Sequence, residues 1–264
     1  MQLEQTPSET MAELILDEEL DKQDPLRHLM DLDGGLVEAP VSSTQALTFL
    51  PKQSHSVEDG GMLRLSFSHD LIDVPRPLEI TLAVDASPGC GGIAWPAGQI
   101  LATYLIQQGS GYLKNKNVVE LGAGTGLVGL VAGQLPDAKI WITDQEPLLP
   151  IMQKNVTINN LTSNVFVAKL DWGVPVPSTI PKPDIILAAD CVYFEPAFPL
   201  LVQTLDELAD KDTEILFCYK KRRKADKRFF GILKKKFRWE EVMDDPNRPI
   251  YNKEAITLMR LFKR

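Results

Sequence analysis

Glu120 closes the apolar run Val118-Val119 and is followed by three glycines spaced two apart, Gly122, Gly124 and Gly126. A strand ending in a carboxylate, then a glycine bend into a helix, brings a nucleotide-like ligand against backbone amides. The spacing departs from the dinucleotide fingerprint G-x-G-x-x-G, because Leu127 stands where its last glycine would be. A carboxylate here would repel a pyrophosphate and attract an ammonium group. S-adenosylmethionine carries an ammonium and no phosphate, so the pattern predicts a methyl-donor site. The run Lys139-Ile140-Trp141-Ile142-Thr143 ends at Asp144, about one βαβ unit downstream. An acid in that place accepts the two ribose hydroxyls of a nucleoside. It also suits a helix N-cap, and the two uses are compatible. Taken alone, a glycine bend after a strand reads equally well as a plain turn.

The elements that must position these residues follow from the patterning. Met62–Phe67 and Leu78–Val84 alternate as strands and predict a hairpin. Pro96 opens a helical pattern through Leu105, as suits a first helical turn. From Asn117 onward the chain alternates regularly. Strands are predicted at 117–122, 139–144, 165–170, 184–190 and 214–219, with helices at about 126–134, 147–159, 196–209 and 225–236. Two late apolar runs, Phe237–Met243 and Ala255–Phe262, predict an antiparallel finish. The expectation is an α/β fold: a Rossmann-like, seven-stranded, mostly parallel sheet with an antiparallel last strand, and helices on both faces. Residues 1–60 read as an acidic, partly disordered leader, with one helix over Met11–Met30 and a loop over Pro40–Gly61. Residues 61–264 read as one domain that includes the hairpin (61–90).

Composition narrows the function classes. The 264 residues are 44% hydrophobic, enough for a full core. Cys90, Cys191 and Cys218 are scattered, which argues against a disulfide scaffold and a zinc site and predicts buried thiols at Cys191 and Cys218. No signal or membrane-spanning pattern is present, so the expected location is cytoplasmic, with no membrane partner. Net charge is −8, which argues against a nucleic-acid partner. The charge is uneven: residues 1–40 hold eleven Asp or Glu, and residues 220–238 hold eleven Lys or Arg. The basic block reads as a solvated helix face or as a docking patch for an acidic partner.

Four pieces, in order, resemble the seven-β-strand S-adenosylmethionine-dependent methyltransferases, and among them methyltransferase family 16. They are Trp95-Pro96, the bend Glu120–Gly126, Asp171-Trp172, and Asp190-Cys191-Val192-Tyr193. The run Phe217–Arg222 is also similar to the family after its fifth strand. The resemblance covers roughly residues 78–262 and implies a protein-lysine N-methyltransferase. It is strongest to the fungal branch acting on translation elongation factor one-alpha, which would make that protein the substrate of a monomeric enzyme.

The resemblance gives each residue a task. Glu120 would bind the donor ammonium, with Gly122, Gly124 and Gly126 letting the backbone approach. Asp144 would hold the ribose, Asp171 would accept the adenine amine, Trp172 would stack on adenine, and Trp95 would wall the methionine end. Asp190 and Tyr193 would hold the acceptor lysine through a carboxylate and a cation–π contact. Attack requires a neutral amine, and neutralising a free lysine at pH 7 costs about 4.6 kcal/mol. A carboxylate favours the charged form. Asp190 is therefore assigned to orientation, and a role as base stays open. The reaction calls for no metal. Two rival readings are a small-molecule or nucleic-acid N-methyltransferase and a non-catalytic donor-binding module. The segment Asp190–Tyr193 lacks the Pro-Pro-Tyr form common in enzymes acting on planar base amines, and the intact acidic set speaks against the module.

Overall fold

The computed structural model describes residues 50, 52–56, 62–85, 92–223 and 226–264. The helix expected over Met11–Met30 lies outside the described residues. The described residues form two sheets. The smaller joins β1 (Lys52–Ser56), β2 (Met62–Phe67) and β3 (Leu78–Leu82) in antiparallel order β1-β2-β3. The expected hairpin is present as β2 and β3, and β1 adds a third strand that corrects one expectation: residues 52–56 are not loop. Its sequence, Lys-Gln-Ser-His-Ser, has no apolar alternation. Backbone pairing with β2 makes this strand in spite of its polar composition.

The larger sheet contains β4 (Asn117–Leu121), β5 (Lys139–Asp144), β6 (Val165–Lys169), β7 (Ile185–Ala189), β8 (Glu214–Lys220), β9 (Phe237–Glu241) and β10 (Ile256–Lys263). Its order is β6-β5-β4-β7-β8-β10-β9, and β10 alone runs antiparallel to its neighbours β8 and β9. The Rossmann-like fold expected from the sequence is present. Helices α1 (Pro96–Gln107), α2 (Leu127–Gln134), α3 (Leu149–Ile158), α4 (Phe198–Leu208), α5 (Lys227–Leu233) and the short α6 (Arg248–Tyr251) connect the strands. α6 had no sequence signal, and α5 is shorter than the expected basic helix.

The central strands carry near-continuous apolar runs, Val118-Val119 in β4 and Ile185–Ala189 in β7, because both faces are covered. Period-two alternation sorts the side chains. Val118, Ile185, Leu187 and Leu216 face the core shared with α1 and α2, while Val119, Ile186, Ala188, Ile215 and Phe217 face the core shared with α4 and α5. Burial of each of these Val, Leu, Ile and Phe side chains contributes about 1.5–3 kcal/mol. This double core forces the carboxyl ends of β4, β5 and β7 to one rim, where their loops form a crevice between elements.

The small sheet docks through amides. Asn159 Oδ1 accepts the Thr81 N–H at 2.9 Å, and Asn155 Oδ1 accepts the Ala83 N–H at 2.7 Å. Asn155 Nδ2 also donates to the carbonyls of Ala83 (3.1 Å) and Thr125 (3.0 Å). The fully buried Asn155 thus ties the edge of β3 to the glycine bend. Asn155→Leu leaves three buried backbone groups unpaired, and each costs about 1–3 kcal/mol. Its unfolding free energy in urea is expected to fall by roughly 3 kcal/mol or more; a loss below ~0.5 kcal/mol would contradict this role.

Candidate active site

The rim holds a cavity of about 420 Å³. Its walls include Glu120 from the tip of β4, Gly122 and Gly124 from the bend, Asp144 from the tip of β5, and Asp190 just beyond β7. Trp95, Trp172 and Tyr193 add aromatic walls. Eight of the ten residues expected from the sequence therefore meet in one space. Gly126 and Asp171 do not line it. Gly126 serves the turn: at φ +82° it caps α2. The Asp171 carboxylate is ion-paired to Lys169 at 3.5 Å, and its charge reaches the cavity through Asp144.

Glu120 is 3% exposed. Its Oε2 accepts the Gly129 N–H at 2.8 Å, so the strand tip satisfies an amide at the start of α2. Burial pushes its pKa from 4.5 up to about 8, with repulsion from Asp144 adding to the rise and the amides of Gly129 and Val128 opposing it. Asp144 Oδ2 accepts the Gly124 N–H at 2.8 Å and Oδ1 accepts the Gln145 N–H at 2.7 Å. Burial raises this carboxyl as well. Two carboxyls are thus held together in a space that disfavours both charges. A cation entering the cavity would relieve that cost.

Gly122 shows why a side chain is excluded from the bend. At φ +60° its added Cβ would lie 2.9 Å from Trp172 Cζ2 and 3.1 Å from Cys191 Sγ. Two further residues matter here to which no role was assigned from the sequence. Gly129 is one: a Cβ there would lie 2.2 Å from Ile142 Cγ2 and 2.8 Å from Glu120 Oε2. A glycine inside a helix was the available signal. The other is Arg222, which lines the cavity and pairs with Asp190 at 2.6 Å. The basic block gave no sign of this, because much of it turns inward or pairs locally. Arg223 holds Asp226, Arg228 holds Glu195, Lys236 holds Asp206 and Arg238 holds Glu240. Cys191 and Cys218 are buried free thiols, as expected.

The residues fit S-adenosylmethionine. Buried acids suit its positive groups, the glycine bend admits backbone approach, and Trp172 offers an aromatic face. The family model described as lysine methyltransferase, methyltransferase family 16, matches residues 76–236. The chain is 37% identical over 202 residues to the protein-lysine N-methyltransferase EFM6 of Saccharomyces cerevisiae, covering 67% of this chain and 82% of that protein. It is 40% identical over 173 residues to the protein N-lysine methyltransferase METTL21A of Danio rerio, covering 64% and 78%. Fold and site define a Rossmann-like methyltransferase with S-adenosylmethionine as its methyl donor. The chain belongs to the lysine methyltransferase family, methyltransferase family 16.

The Glu120 shift has a consequence for stability. The folded state keeps this proton up to about pH 8, whereas the unfolded chain releases it near 4.5. The stabilisation is fully present below pH 4.5 and is lost as pH rises through 8. Glu120→Gln has no such loss. In denaturant titrations between pH 5 and 8 its stability is expected to gain on the wild type by roughly 1.4 kcal/mol per pH unit. A pH-independent difference would contradict the shift.

Proposed function

We propose that this chain methylates a lysine side chain of a protein, that translation elongation factor one-alpha is the substrate, and that the enzyme works as a cytoplasmic monomer. Support for a protein substrate comes from relatives named as protein-lysine N-methyltransferases. The elongation factor follows from the branch that the sequence resembles. A monomer suffices because every residue assigned below belongs to one chain. Among the described residues, no helix is long and apolar enough to cross a membrane. The observation that carries the reading is the gathering of Glu120, Asp144 and Asp190 around one aromatic-walled cavity.

When bound, S-adenosylmethionine supplies an electrophilic methyl group on a sulfonium centre. Glu120 receives the donor ammonium, and the Gly122–Gly124 backbone admits the chain beside it. Asp144 accepts the ribose hydroxyls while its hydrogen bond to Gly124 keeps the bend in shape. Trp172 covers the adenine, and Trp95 closes the methionine end. Tyr193 and Asp190 guide the acceptor amine. Holding the reacting groups in line supplies most of the acceleration, through orientation rather than acid–base chemistry. Asp171, paired to Lys169, contributes its charge near the adenine end rather than a direct contact in this state.

Three outcomes test the reading. Tritiated donor, enzyme and an extract of cells lacking this gene should yield label that protease releases and nuclease does not, with mass spectrometry placing it on lysine of the elongation factor. Label on nucleic acid, or on other proteins alone, would contradict the respective part. In calorimetric titration with S-adenosylhomocysteine, Glu120→Ala and Asp144→Ala should weaken binding tenfold or more, and Asp190→Asn should bind normally while losing transfer. Unchanged affinity in the first two, or equal loss of both properties in the third, would undo these roles. Wild-type affinity should also weaken from pH 8 to pH 6 as Glu120 takes up its proton; a flat profile would contradict Glu120 as the ammonium ligand.

A further inference from the structure

Asp190 is not a bare carboxylate. Arg222 donates Nη1–H to its Oδ1 at 2.8 Å and Nη2–H to its Oδ2 at 2.6 Å, a two-pronged pair. The Lys220 backbone N–H donates to Oδ1 at 3.2 Å. The side chains are 11% and 5% exposed, yet both residues line the cavity. Asp190 is also held in the left-handed region at φ +57°, with its N–H bonded to the Cys218 carbonyl at 2.7 Å.

Arg222 is fixed from behind. Its guanidinium lies 5.5 Å from the centre of the Trp95 ring. Its backbone N–H donates to Asp226 Oδ2 at 3.0 Å. Asp226 is itself buried and bound to Arg223 at 2.9 Å. A long side chain anchored at its backbone, along its face and at its tip is preorganised to stay paired.

We infer that Arg222 is a positioning residue for the acceptor: by cancelling the charge of Asp190 it makes the acceptor pocket select a neutral amine over an ammonium ion. The inference rests on Asp190 lying on the acceptor side. A lone carboxylate would hold the lysine proton more tightly and oppose attack. A carboxylate paired to a guanidinium carries no net charge to offer, and the guanidinium repels an ammonium. An ionised carboxylate has about four lone-pair sites. The three bonds above leave room for one more, from a neutral amine N–H. That bond would orient the amine while its own lone pair stays available for the methyl carbon. The ammonium proton passes to bulk water once the lysine enters the pocket and before attack.

The other groups around Asp190 do not supply this balance. The thiols of Cys191 and Cys218 are driven up by burial and stay neutral. Glu120 and Asp144 are carboxyls on the cavity wall and supply no positive charge. Tyr193 brings a phenol, which carries no positive charge. Asp226 is matched by Arg223. Among the described residues, Arg222 is the cation whose side chain contacts Asp190.

The test is the pH dependence of a single turnover, read as label transfer from donor-loaded enzyme to the protein fraction of cells lacking this gene. Measured from pH 6 to 9.5, the rise on the acid side reports the acceptor amine in the bound complex. In Arg222→Met its midpoint should move up by one pH unit or more. Arg222→Lys keeps the charge without the fork, so the midpoint should hold while the rate falls. Arg222→Gln keeps a hydrogen bond and loses the charge, and serves as a second neutral variant should Met perturb folding; its midpoint should also move up. S-adenosylhomocysteine affinity within threefold of wild type certifies each variant's fold. A neutral variant that slows transfer without moving the midpoint would overturn the inference and leave Arg222 a structural brace. Asp190→Asn separates the two layers. If it transfers normally, the reading of Asp190 falls and the inference with it; if it loses transfer while the midpoint stays fixed in both neutral variants, only the Arg222 inference falls. No label from the wild type would remove the lysine reading itself.

Discussion

The constraint on which this structure turns is that the acidic tips of neighbouring parallel strands must share one crevice. β4 and β5 are paired in register, Glu120 opposite Ile142 and Leu121 opposite Thr143, so their ends reach the same rim. Each tip carboxylate is then tied to the segment that follows β4: Glu120 to the Gly129 amide in the first turn of α2, Asp144 to the Gly124 amide in the bend. These bonds build the bend and hold two acids side by side in a buried place. The cost of that arrangement appears as carboxyls that resist ionisation. A site strained in this direction favours a positively charged ligand, and a sulfonium nucleoside with an ammonium group answers it.

The same balance of charge is handled differently across the cavity. Asp190 has a permanent cation in Arg222, whereas Glu120 and Asp144 hold only amides. On the proposed reading, the donor end is thereby left short of positive charge, while the acceptor end is already neutral. One end welcomes a cation and the other has no need of one. This asymmetry addresses the difficulty that lysine must lose its proton before it can accept a methyl group, since neutralisation costs several kcal/mol at neutral pH.

Much of this was legible in the sequence, for physical reasons that also mark where legibility stopped. Buried strands such as Ile185–Ala189 announce themselves because both faces are covered. The acids at their ends stand out because charge is rare beside such runs. β1 was invisible, since main-chain pairing rather than side-chain pattern makes it. Gly129 looked like an ordinary helix glycine until the approach of Ile142 and Glu120 showed what it leaves room for. Arg222 stood in a dense basic block, and its partner lies 32 residues away across two adjacent strands. Long-range pairing of that kind has no local signature. Asp171 is expected from its motif to accept the adenine amine, and its pairing with Lys169, two residues earlier in the chain, is a contact the motif does not announce.

The most direct measurement compares S-adenosylhomocysteine with its analogue lacking the amino group, both titrated calorimetrically into the wild-type enzyme at pH 8. If the strand-tip acids recognise the ligand through its ammonium, deleting that one group should weaken binding by roughly tenfold or more, as loss of a charged hydrogen-bonding partner does. Equal affinity for the two compounds would show that the acids serve only the bend, and would contradict the account at its base.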